Sequence, residues 1–174
     1  MKEGSVNTTW KLNIDEIIRQ AEEGESDIII NWESLACAGD APQPMSHHTA
    51  FVYEDQLYCY GGLLGMQGQD SNADFYILNL KTRVWTHKSL KQYQKVKRWV
   101  SDPGNPTMKT ELEVEEECGC EARDQHSAVF DEDGAIMYVF GGYVAGDKAN
   151  DLWSYSLNEG KWTCLHPGDY MALN

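Results

Sequence analysis

The sequence predicts an all-β fold built from repeated four-stranded antiparallel units, and three observations carry that prediction. A strand running into two glycines occurs twice, as "FVYEDQLYCYGG" at 51–62 and "AVFDEDGAIMYVFGG" at 128–142. The segments around these devices are nearly equal in length, His48 to Trp85 being 37 residues and His126 to Trp162 being 36. Within each segment the same features follow in the same order, and such self-similarity at a fixed period marks a repeat architecture.

Each element of the unit has a reason. An apolar strand after the His meets a charged turn, Glu54-Asp55 in the first copy and Asp131-Glu132-Asp133-Gly134 in the second. A second apolar strand ends on the diglycine. After a loop, "DFYILNL" or "DLWSYSL" alternates as a half-buried strand does, and a turn ("KTR" or "NEG") leads to a strand opening on Trp85 or Trp162. Four short antiparallel strands per unit is the make-up of a β-propeller blade. Glycine permits positive φ and close backbone approach where inner strands crowd near the propeller axis.

The motif set resembles the kelch repeat. In that family a diglycine closes the second strand, and a Tyr and a Trp six residues apart mark the third and fourth. The second copy keeps Gly141, Gly142, Tyr155 and Trp162. The first keeps Gly61, Gly62 and Trp85 but has Leu78 at the Tyr position. His48 and His126 align as a repeat position, whose expected role is a hydrogen bond within the blade. Asp74 and Asp151 align too and read as turn-capping residues.

The N-terminus fits the same scheme. "TTWKLNI" matches "DLWSYSL", pairing Trp10 with Trp153, and the outer-strand Trp arrives late, at Trp32. The additional piece places Ile14, Ile17, Ile18 and Ala21 on one helical face, with Asn13 as N-cap and Gly24 as the stop. The expected organisation is therefore the second half of a blade with a short helical insertion over 1–44, a blade over 45–90, a charged insertion over 91–121 and a blade over 122–174. That is an incomplete kelch-type propeller. At one end the strand beginning at Trp10 lacks its inner partners, and at the other the blade face holding Tyr155 and Trp162 is expected to have no neighbour, so a piece of a longer polypeptide, or a chain whose missing blades come from a partner, is expected.

The charged insertion divides in two. "KSLKQYQKVKRW" carries five bases and no acid, whereas "ELEVEEECGCE" carries six glutamates and no base. The acidic half alternates as an exposed strand. The basic half fits either a strand of a β-arm or a short helix through Leu90, Tyr93, Val96 and Val100, and a solvated excursion is a third reading.

Composition bounds the function. The 174 residues carry a formal charge of −14, which argues against a nucleic-acid or anionic-membrane partner. No apolar run reaches the length of a membrane span, and five scattered cysteines make no disulfide framework, so a cytoplasmic protein with free thiols is expected. Cys118-Gly-Cys120 lacks the spacing of a metal site. Neither metal nor cofactor is expected, and no catalytic motif is present.

The resemblance implies a protein-interaction module that binds a partner through loops at one rim, with recruitment to a ubiquitin ligase or cytoskeletal organisation as family roles. A kelch-type enzyme or metal-dependent specifier protein is the alternative. In an antiparallel blade the loops after the diglycines share one face with the insertion, and the 15–25 segment lies on the other. The expected partner-binding residues are Gln67, Gln69, Asp70, Lys95, Lys97, Arg98, Trp99 and Lys148, with the cations and Trp99 contacting an acidic peptide. The partner is another protein or the missing blades.

Overall fold

A computed structural model of the protein describes residues 8–24, 26–65, 70–102 and 104–168. Its first element, β1 (Thr9–Leu12), pairs antiparallel with β2 (Trp32–Leu35), with Leu12 opposite Trp32 and Trp10 opposite Ser34. Helix α1 (Ile14–Glu22) stands between them. Asn13 Oδ1 caps it by accepting from the Glu16 amide at 3.3 Å, and Gly24, at φ +73°, follows its last turn. Gln20 is buried and accepts from the Ile29 amide at 2.9 Å, which ties the helix to the returning chain. Ile14 and Ile18 remain exposed.

The first whole blade follows. After β3 (Ala38–Gly39) and β4 (Met45–Ser46) come β5 (Thr49–Tyr53), β6 (Gln56–Tyr60), two short strands β7 (Leu63–Leu64) and β8 (Asp70–Ser71), then β9 (Phe75–Asn79) and β10 (Val84–Lys88). The sheet order β3-β10-β9-β6-β5 is an antiparallel four-stranded blade with β3 added parallel at the outer edge. Strands β4, β7 and β8 form a small sheet beyond the diglycine.

Next, β11 (Gln92–Asp102) and β12 (Asn105–Cys118) pair, among the described residues, only with each other in a long antiparallel arm. Of the two conformations open to the basic half, the strand prevails, because every residue from Gln92 to Ser101 finds a partner on the acidic strand. The second blade comprises β13 (Arg123–Asp124), β14 (Ser127–Asp131), β15 (Ile136–Val144), β16 (Asp147–Ser156) and β17 (Lys161–His166). Here the stretch after the diglycine is no open loop. It extends β15 and β16 into a hairpin that turns at Ala145-Gly146, with φ of +51° and +91°.

Register carries the repeat through most of its pairings, with a bulge between Leu152 and Trp153 shifting the end of the second blade's outer strand by one residue. Tyr60 opposite Thr49 and Phe75 corresponds to Phe140 opposite Ser127 and Leu152, and Leu12 opposite Trp32 corresponds to Tyr155 opposite Trp162. The main core lies between the two blades: Tyr58, Tyr60, Phe75 and Ile77 of the first meet Met137, Val139, Tyr155 and Trp162 of the second. Phe51 and Phe130 stack at 4.2 Å, and Phe75 meets Tyr155 edge-on at 5.5 Å. Trp85 and Leu78 form a smaller cluster with Cys59 on the other side of the first blade. Tyr60 is wholly buried, yet Phe140 at the same repeat position is 53% exposed. Tyr155 and Trp162, expected on an uncovered face, are instead buried against the first blade, because the two blades pack through that face. The exposed apolar side chains of the second blade are Val129, Phe140 and Leu165. Trp10 and Trp32, at 54% and 60% exposure, leave the half-blade open.

Candidate functional site

The diglycines bring the rim together. Gly62, at φ +86°, lies so close to the chain entering its blade that a Cβ would sit 2.5 Å from the Ser46 carbonyl oxygen. Gly142, at φ +97°, repeats this against the Asp124 carbonyl oxygen, also at 2.5 Å. A Cβ on Gly61 would meet His126 Cε1 at 2.3 Å, so this glycine makes room for the neighbouring blade. The Gly62 amide donates to the Arg123 carbonyl at 2.8 Å and the Arg123 amide to the Asn72 carbonyl at 3.2 Å, stitching the two blades along one edge.

His126 works across this seam rather than within its own blade. Its Nε2 lies 2.9 Å from Thr49 Oγ1 of the first blade, and its ring meets Tyr60 edge-on. Burial, and secondarily the nearby Arg123 charge, lower its pKa to about 4. His48, its repeat counterpart, packs its backbone N–H and Cβ beside Gly62.

Asp151 and Asp74 also diverge. Arg123, 0% exposed, donates from Nη1 and Nη2 to the two Asp151 carboxylate oxygens at 2.7 and 2.9 Å, and Trp153 Nε1 donates to the same carboxylate. Burial pushes the Asp151 pKa up, but these donors outweigh it and hold the carboxyl below its usual range. Asp151 is therefore half of a buried ion pair and not a turn cap. In the first blade Met45 stands where Arg123 would be, and Asp74 instead accepts from His87, Ser89 and the Leu90 amide. Sequence reasoning missed Arg123, whose only signal is an arginine ahead of the second His and absent ahead of the first.

Beside this seam opens a cleft of about 1030 Å³. The first blade's loop contributes Leu64 and Asp70–Asp74, the base of the arm Leu90, Lys91 and Glu117–Ala122, and the second blade's hairpin Val144–Gly146. Asp70 thus lies in the cleft, and Lys148 sits opposite Tyr143 just beyond its hairpin wall. Gln67 and Gln69 lie outside the described residues. Cys120 turns its thiol inward, and burial raises its pKa to about 12. Among the described residues no three His, Cys, Asp or Glu side chains converge as a metal site would require.

The arm rises from one wall of the cleft. Tyr93, Lys95, Lys97 and Trp99 share one face by alternation, opposite Glu117, Glu115, Glu113 and Glu111. The cations leading into and along its basic strand are engaged: Lys91 with Glu117 at 3.2 Å, Lys95 with Glu113 at 2.9 Å, Lys97 with Glu111 at 3.1 Å, and Arg98 with Glu116. Trp99 projects freely, at 67% exposure.

With this geometry in view, the kelch motif model matches residues 44–89, the first blade, and 134–167, the last three strands of the second. The chain carries two kelch motifs. Its similarity to curated proteins is distant. It is 25% identical to the leucine-zipper-like transcriptional regulator 1 homolog of Drosophila melanogaster over 93% of this chain and 13% of that protein. It is 26% identical to the N-(sulfonatooxy)prop-2-enimidothioate sulfolyase of Thlaspi arvense over 75% of this chain and 47% of that protein. The chain spans less than half the length of either. No described helix of this kelch chain is long and apolar enough to cross a membrane.

Proposed function

We propose that this kelch chain is a non-enzymatic, cytoplasmic protein-interaction module that receives a segment of another protein at its rim, across the cleft and along the arm. One observation carries the reading: three separate connections, from two blades and the arm, line a single cleft. Concave sites gathered from several loops on a rigid scaffold are where binding concentrates. Asp70 lines that cleft, Lys148 lies just beyond its hairpin wall, and Lys95, Lys97, Arg98 and Trp99 stand farther out along the arm that rises from it, Trp99 being of the type that anchors interfaces.

The sulfolyase relative supports a second reading, an enzymatic role within a longer kelch protein. A metal-dependent version of that role finds no three-residue donor set among the described residues. The test of the first reading is an affinity capture comparing the full chain with one lacking 92–117. Loss of specific partners with the arm is the expected result, and retention of every partner refutes the rim.

A further inference from the structure

We infer that the rim cleft selects a basic side chain, an arginine or lysine presented on an extended segment of the partner protein. This rests on the rim reading above and adds the partner's chemistry to it.

The charge of the cleft is unbalanced in a specific way. Four of its lining residues are carboxylates: Asp70, Asp74, Glu117 and Glu121. Two are already compensated. Asp74 accepts from His87 Nε2 at 2.9 Å, from Ser89 Oγ at 3.2 Å and from the Leu90 amide at 2.9 Å, and Glu117 faces Lys91 at 3.2 Å. Asp70 and Glu121, both exposed, have no side-chain partner among the described residues, and the basic residues in the lining, Lys91 and His87, are the two just accounted for, with Lys148 standing just outside the hairpin wall. The first comes from β8 and the second from the chain returning from the arm, so uncompensated charge flanks the cleft from two blade connections.

A segment laid over the cleft strips water from both carboxylates. Desolvating an ionised group without a counter-charge is costly, and an acidic segment adds like-charge repulsion to that cost. A guanidinium or ammonium group from the partner supplies the missing charge and hydrogen-bond donors. Leu64 and Val144 give the walls an apolar surface against which a lysine or arginine stem packs while its charged head reaches the carboxylates. The same arrangement attracts a basic segment and rejects an acidic one, which is how specificity is built. On the basic strand of the arm, Lys95, Lys97 and Arg98 each already lie against a glutamate of the opposite strand. A second copy of the chain, at a formal charge of −14, is repelled as a whole.

The test pans a displayed random dodecapeptide library against the full chain near physiological salt. A synthetic copy of each enriched peptide is then titrated against four proteins: wild type, D70N/E121Q, the chain lacking 92–117, and E132Q/D133N. The last makes the same charge change in the exposed turn between β14 and β15. The inference expects enriched peptides to carry Arg or Lys. It also expects their affinity to fall by about tenfold in D70N/E121Q while E132Q/D133N stays within about twofold of wild type. Acidic peptides that depend on the arm overturn the inference and leave the rim reading standing. Basic peptides weakened equally by both charge variants overturn it too, because they report only the bulk field. Peptides indifferent to D70N/E121Q and to the arm deletion, or no enrichment at all, count against the inference and the rim together.

Discussion

Arg123 and Asp151 form a two-pronged ion pair closed off from water, with side-chain exposures of 0% and 8% and contacts of 2.7 and 2.9 Å. The pair fastens the entry of the second blade to its third strand, and Arg123 Nη1 also donates to the Gly141 carbonyl at 3.0 Å. The first blade achieves the same fold with Met45 at the arginine position. Removing one partner strands a buried charge, whereas removing both does not. Asp151→Asn is expected to cost roughly 3–5 kcal/mol and the double variant R123M/D151N clearly less. Urea unfolding of the two singles and the double, read as a cycle, checks this.

Gly142 and Gly146 separate conformational strain from collision. They have similar φ, +97° and +91°, but a Cβ on the first meets the Asp124 carbonyl oxygen at 2.5 Å while one on the second meets nothing within 4 Å. Gly146→Ala is expected to cost about 1 kcal/mol, the penalty for positive φ alone. Gly142→Ala adds the collision and costs at least about twice as much. Thermal or urea midpoints of the two variants give the comparison directly.

Stability should fall with acid through His126. Its folded pKa of about 4 lies below its ordinary value of 6.5 because burial and then Arg123 disfavour the cation, with Asp124 opposing and the nearby His48 adding to the shift. Above pH 6.5 both folded and unfolded forms are neutral and the full stability is present. As pH falls from 6.5 towards 4 the unfolded chain takes up the proton first, so stability declines, by up to about 3 kcal/mol. Asp151, with its lowered pKa, withdraws a further contribution only at lower pH. Unfolding midpoints across this window should flatten in His126→Asn, and an unchanged slope would refute the assignment.

Much of this fold is legible in the sequence, for identifiable reasons. The repeated His, diglycine and Trp positions place the blades. Asn13 and Gly24 bound the helix, and the match of Trp10 to Trp153 gives the register in which Leu12 faces Trp32. The basic half of the arm was not decidable, because Leu90, Tyr93, Val96 and Val100 satisfy helical spacing as well as a strand does. Only pairing with the acidic strand resolves it. The ion pair of Arg123 and Asp151 was hidden because one repeat has it and the other does not, and reading the repeats as equivalent averages it away. The seam role of His126 depends on a neighbouring blade, which no single repeat reveals.

Thiol chemistry should follow burial. All five cysteines are free, Cys164 is exposed, and burial raises the pKa of Cys59 to about 11 and of Cys120 to about 12. Timed alkylation without reductant, followed by mass spectrometry, should label Cys164 first and spare Cys59 and Cys120 until the chain unfolds.

The arm's ion pairs should matter little to stability. Exposed pairs such as Lys95–Glu113 and Lys97–Glu111 contribute only about 0–1 kcal/mol each. Trp99→Ala should leave the unfolding midpoint unchanged while weakening partner binding, a split that calorimetric melting alongside affinity capture reads out.

The claim that the rim is the binding surface is tested most directly by site-specific photocrosslinking in the full chain. A benzophenone amino acid is placed at Trp99 on the arm, at Leu64 in the cleft, or at Glu132 in the turn between β14 and β15. The account predicts crosslinks to the same partner from positions 99 and 64 and none from 132. Crosslinking from 132 with silence at 99 and 64 would contradict it.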